Sequence, residues 1–124
     1  GATRARAALA LVPASLAAER SELEALVPRF AARCQAALLR HGERVREAQF
    51  TLHRLADMVT ALFVSAAVLA RASASDALGT LPARELDLAR LACRRAHKDF
   101  QRAAHEEENP DDELIERVAR SGAP

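Results

Sequence analysis

From Glu43 to Ala74 the chain contains neither Gly nor Pro, so over about 30 positions no residue forces a helix to end. Within that stretch Val45, Ala48, Leu52, Leu55, Val59, Leu62, Ala66 and Leu69 recur at intervals of three and four. That is the rhythm of one seam along an α-helix laid against neighbouring helices. Composition narrows the choice further. Hydrophobic residues make up 50% of the 124-residue chain and charged residues 28%, while aromatics are 3%, with no Trp and no Tyr. A core filled by Ala and Leu suits close-packed helices and suits a sheet poorly. The expected fold is all-α: an antiparallel helical bundle of about four helices, with the long helix at its centre.

The remaining helices follow from caps and spacing. A first helix is predicted over about 22–40, with Ser21 as N-cap and Glu24 completing a capping box. Leu23, Leu26, Phe30, Cys34, Ala37 and His41 form its seam. Pro28 lies inside and should kink or restart it, and Gly42 stands where a left-handed residue closes a helix. The long helix is predicted over about 43–74. A turn through 75–79 then leads to a third helix reaching about Glu107, with Thr80 as N-cap, Pro82 in the first turn and Glu85 near the positive end of the dipole. Its seam is Leu86, Ala89, Cys93, Ala96, Phe100 and Ala103. Glu106, Glu107 and Glu108 sit at the negative pole of that helix and should fray its last turn. Asn109, Pro110, Asp111 and Asp112 open a fourth helix, with Leu114, Ile115 and Val118 on one face and Gly122 at its end. The domain division is a linker over 1–14, a bundle over 15–121 and a tail over 122–124. Arg4 and Arg6 ahead of Leu9–Val12 have the outline of a targeting segment, and the adopted reading is a linker entering the domain.

A search for chemistry returns little. None of His41, His53, His97 and His105 follows a Glu by three residues, so the helical di-iron signature is missing. His53 and Asp57 lie one turn apart, but two ligands are too few for a metal site, and a surface pair is the simpler reading. The four glycines, at positions 1, 42, 79 and 122, form no phosphate-binding loop. Cys34 and Cys93 are expected as reduced core residues. The sequence therefore offers no catalytic, cofactor-binding or metal residues. Arg90, Arg94, Arg95, Lys98 and Arg102 make the third helix locally basic, and Arg94, Lys98 and Arg102 share a face; a solvated face explains them best. With a net charge of +1 and no aromatic residue interleaved except the seam residue Phe100, nucleic-acid binding is not expected. The least polar window, Met58 to Ala70, holds 13 residues, fewer than the roughly 18 needed to span a bilayer, so no transmembrane segment is expected.

One string carries more than periodicity. Gln49 with Leu55-Ala56-Asp57-Met58 resembles the Gln…Leu-Ala-Asp-Met helix in the C-terminal helical domain of acyl-CoA dehydrogenases. The longer run from Glu47-Ala48-Gln49-Phe50 through Arg54-Leu55-Ala56-Asp57 to Leu69-Ala70-Arg71-Ala72-Ser73 looks more like the extra helical domain that ends the very-long-chain branch. The likeness extends from about Val12-Pro13 to Val118 and is weak after Gly79, and Arg4 and Arg6 resemble the basic linker before that domain. The resemblance implies a parent FAD enzyme that forms an α,β-double bond in an acyl-CoA thioester with a glutamate base. That glutamate, the flavin-binding segments and the Gly-Gly stretch of the catalytic domain have no counterpart here. The implied role is a non-catalytic C-terminal domain that packs on the catalytic body and shapes oligomerisation. FAD then belongs to the parent and not to this segment, and the partner is either that body or a second copy of the domain.

The residues fit this role in one respect. From Met58 to Ala70 the long helix is apolar nearly all round, with Phe63, Val64 and Val68 in addition to the seam. A three-helix neighbourhood with a short fourth helix leaves part of that surface over, and a leftover apolar patch marks an interface. Two other readings stand beside it: a free-standing helical adaptor for a partner protein, and a small-ligand-binding bundle. The abundance of Ala and Arg points to a high-GC bacterial source and so to a cytoplasmic location.

Overall fold

The computed structural model describes residues 12–106 and 111–122. After a 3-10 turn over Ala14–Leu16 come α1 (Ala17–His41), a second 3-10 segment over Gly42–Glu47, α2 (Gln49–Ala77), α3 (Ala83–Glu106) and α4 (Asp112–Ser121). No strand occurs among the described residues. α2 and α3 form an antiparallel hairpin with the most extensive packing in the molecule, and α1 lies against both. The fold is the expected all-α bundle.

The chain enters through a turn in which the Leu16 N–H donates to the Pro13 carbonyl at 2.9 Å. Leu16 is completely buried, and α1 starts directly behind it. The helix thus begins at Ala17, five residues ahead of the expected start, and Ser21 lies inside it instead of capping it. Burying Leu16 outweighs the capping box. α1 continues as one helix through Pro28. Pro28 is exposed, so the donor it lacks costs little where water can reach the unpaired carbonyl. At the far end Gly42 adopts φ 56° and ψ −130°, and its N–H closes on the Leu38 carbonyl.

The long helix is shorter at its front than the sequence suggests. Residues 42–47 wind as 3-10 helix, Ala48 leaves helical geometry at φ −80° and ψ 69°, and the α-helix starts at Gln49. No Gly or Pro makes this break. The chain reverses here between antiparallel helices, and buried Ala48 sits at the corner with its carbonyl accepting from the Leu52 N–H at 3.0 Å. α2 ends three residues later than expected, at Ala77. Thr80 is not the cap of α3: the helix starts at Ala83, and the Pro82 carbonyl accepts the Leu86 N–H at 3.0 Å. Ser75 Oγ donates to Glu85 Oε2 at 2.9 Å and ties the two ends of the turn together. Glu107, Glu108, Asn109 and Pro110, the expected frayed end and the cap of the fourth helix, lie outside the described residues.

The core has two centres along the hairpin. One gathers Leu16, Leu23, Leu69, Ala72, Leu81, Ala89 and Cys93; the other gathers Leu26, Met58, Ala61, Ala96, Phe100, Ala103 and Ala104, with Leu62 packed against both. Alanines at 61, 96 and 103 let the helices approach closely, and the fully buried Phe100 and Met58 fill the space. The α3 seam is borne out, with Leu86 half-buried at its start.

The α2 seam is not. Leu55, Leu62 and Leu69 face inward, but Leu52, Val59 and Ala66 are exposed, and the buried line runs through Thr51, Met58, Ala61, Ser65, Leu69 and Ala72. Two polar residues lie on this inner face: Thr51 Oγ1 is 3.4 Å from His41 Nε2, and Ser65 hydrogen-bonds the Cys93 thiol. A helix apolar on nearly every side does not announce which side is inward.

Two arginines fasten α1 to α3. Arg29 donates to Gln101 Oε1 at 2.9 Å, with its guanidinium 5.6 Å from the centre of the Phe100 ring. Arg90 donates to the Ser15 carbonyl at 3.0 Å and lies 4.0 Å from Glu19. Arg90 therefore belongs to the fold, while Arg94, Arg95, Lys98 and Arg102 are exposed.

Candidate docking surface

On the helical wheel of α2, Leu52, Ala56, Val59, Phe63, Ala66, Ala67 and Ala70 fall on one side, more than a quarter-turn from the buried line. All are exposed, Phe63 by 73%. No charged residue interrupts this stripe: His53, Asp57 and Arg71 lie to one side and Arg54 beyond them. Side chains of this size with no partner form a contiguous apolar strip instead of the scattered exposures normal on a protein surface. The apolar surplus expected between Met58 and Ala70 includes Phe63, which is exposed, whereas Leu52 and Val59, expected in the core, lie outside it.

A second surface adjoins α2 on the side facing α3. Two hollows lie along the α2–α3 seam. One, of about 300 Å³, is lined by Asp57, Thr60, Val64, Arg95, Asp99 and Arg102 among others. The other, of about 600 Å³, is lined by Val68, Arg71, Leu81, Arg84, Leu88 and Ala92 among others. No α1 residue lines either one. α4 carries a third unpartnered face. Leu114, Ile115 and Val118 are all about half exposed or more, and α4 takes no part in the sustained packing that joins the other three helices.

Among the described residues no three His, Cys, Asp or Glu side chains gather where they could hold a metal ion. His53 and Asp57 are both exposed. Cys34 and Cys93 are free thiols and are not joined to each other. Burial pushes the Cys93 thiol up to about 11, Glu19 adds to the shift, and the Ser65 hydrogen bond opposes it; burial also raises Cys34. A thiol held protonated is a poor nucleophile near neutral pH.

The helix Gln49–Ala77 is longer and more evenly apolar than the 13-residue window suggested. An 18-residue window within it reaches a mean hydropathy of 1.7, and by length and composition alone it is sufficient to cross a membrane. The expected window ends at Ala70, but the single charge of Arg71 does not end the apolar stretch. A core helix meets the same measure, and the inner line of α2 is packed as one.

The geometry thus defines an all-α domain whose conspicuous features are apolar surfaces. Among known families, the one described as "ACAD9/ACADV, C-terminal domain" matches residues 14–121, nearly the whole chain. The chain belongs to that family and is a C-terminal helical domain of the acyl-CoA dehydrogenase kind. No curated protein and no solved structure gives a significant match.

Proposed function

We propose that this is the accessory domain of a flavin-dependent acyl-CoA dehydrogenase of the very-long-chain branch, and that it docks on the catalytic body through the outer stripe of α2 and so shapes oligomeric state. In this reading FAD and the oxidation of an acyl-CoA thioester belong to the parent enzyme, in a bacterial cytoplasm. The observation that carries the reading is the charge-free strip from Leu52 through Phe63 to Ala70. A bundle that buries Thr51 and Ser65 while leaving Leu52, Val59 and Phe63 outside has apolar surface meant for another protein.

The test is the full-length protein with and without this domain, assayed for acyl-CoA oxidation and sized by light scattering. Deletion is expected to change oligomeric state or stability, with activity falling as a consequence. If size, stability and activity are all unchanged, the packing role is wrong and the free-standing adaptor becomes the better reading. On its own the chain is expected to give a helical circular dichroism spectrum and no flavin absorbance.

A further inference from the structure

We infer that, free of a catalytic body, the domain pairs with a second copy of itself through the outer stripe of α2, the two α2 helices lying side by side and antiparallel. The spacing of the stripe points to a helix as its occupant. From Leu52 it steps by four and three residues alternately as far as Ala77, and such a seam stays in line along a neighbouring helix packed at a shallow angle. α2 thus carries a seam on each side, and only the inner one is covered among the described residues.

Side-chain size sets the direction. The first half of the stripe carries the bulk, in Leu52, Val59 and Phe63, while the second half offers Ala66, Ala70 and Ala77. In an antiparallel pair with its two-fold axis between Val64 and Ser65, Phe63 meets Ala66 of the second copy, Val59 meets Ala70 and Leu52 meets Ala77. Each large side chain then faces a small one, as interdigitated layers require. The remaining layer joins Ala56 to Ser73, whose hydroxyl already donates to the Leu69 carbonyl at 2.8 Å. A parallel pair would stack Phe63 on Phe63 and leave alanine facing alanine along the second half. Charge agrees with the antiparallel register, which brings Asp57 of one copy level with Arg71 of the other on the same flank.

Area suffices for a weak dimer. The stripe runs about 39 Å along α2, and a strip roughly 15 Å wide on each helix buries on the order of 1,200 Å² in total, just above the roughly 1,000 Å² that a specific interface needs. A helix crossing steeply would cover only the middle and fall short. The body and the second copy compete for one stripe. A tethered body acts at an effective concentration on the order of millimolar, so in the full-length protein it holds the stripe against a second copy, and the pair belongs to the free domain. Below its dissociation constant the free chain is a folded monomer. The inference does not rest on docking to the body: the free chain is measured alone, and a body that fails to dock leaves it standing.

Sedimentation equilibrium of the 124-residue chain from roughly 1 to 200 µM should show a monomer–dimer equilibrium. Phe63→Glu and Ala66→Glu should each raise the dissociation constant at least about tenfold with the helical circular dichroism unchanged, and Arg94→Glu on α3 should leave it as it is. Direction is read by disulfide trapping in a Cys34→Ser background. Val59→Cys mixed with Ala70→Cys should give a crosslinked dimer. Val59→Cys alone should not, because its two copies stand about 16 Å apart along the pair, beyond the roughly 7 Å that a disulfide spans. A chain monomeric throughout overturns the proposal, as does a dimer indifferent to both stripe substitutions or one lost on Arg94→Glu. Crosslinking of Val59→Cys with itself in place of Ala70→Cys overturns it as well.

Discussion

The two sides of α2 differ less in chemistry than in what they touch. The inner side, packed on Leu26, Phe100 and Cys93, includes Thr51 and Ser65; the outer side, in solvent, carries Leu52, Val59 and Phe63. Small polar residues are tolerated inward because each finds a partner, His41 for Thr51 and the Cys93 thiol for Ser65. What separates the two faces is therefore not hydrophobicity but whether a neighbour exists inside this chain. The inner face makes the fold, and the outer face has no neighbour among the described residues.

Truncation should separate the faces most sharply. Leu69 is completely buried, and Leu69→Ala should cost roughly 2–5 kcal/mol in urea denaturation. Phe63→Ala, though the larger deletion, should change the stability of the isolated chain by less than about 0.5 kcal/mol. Similar losses at both sites would erase the distinction.

The corner that aims α2 comes next. Gly42 holds φ 56° with nothing within 4 Å of where a Cβ would lie, so Gly42→Ala meets conformational strain without a clash and should lose about 1–2 kcal/mol by thermal or urea unfolding. The Cys93 thiol probes the inner face by pH. Its folded value of about 11 lies above the ordinary 9.0, so between these limits the unfolded chain gives up a proton that the folded chain keeps. The resulting stability is full below pH 9 and is lost as pH rises through 11. Urea midpoints across that range should fall less steeply in Cys93→Ala than in the unaltered chain, although Cys34 retains a shift of the same sign. The smallest effect belongs to His53, which is exposed: His53→Ala should shift stability by under about 0.5 kcal/mol, and a larger loss in the same assay would mean that α2 is turned the other way.

Legibility in the sequence followed contrast. The third helix was readable because its seam from Ala89 to Ala103 lies opposite a basic face with Arg94, Lys98 and Arg102; only one orientation buries it well. The long helix has no such opposition between Met58 and Ala70, so periodicity found the helix but rotated its seam by about one residue, keeping Leu55, Leu62 and Leu69 and losing Thr51, Met58 and Ser65. Its front and the start of α1 were misplaced for a tertiary reason. A chain reversal at Ala48 and the burial of Leu16 behind the Pro13 turn decide those ends, and neither contact is encoded in helical spacing. The surface was partly visible, since Phe63 stood out as surplus, but the α2–α3 groove is made by residues from two helices and has no linear trace.

The central claim, that the outer face of α2 is covered by the catalytic body, is tested most directly by a photo-crosslinking residue in place of Phe63 in the full-length protein, with the same residue in place of Arg94 as the control. The account predicts a crosslink from position 63 into the catalytic body and none from position 94. Efficient crosslinking from 94 with none from 63 would put the body on the basic face of α3 and contradict it.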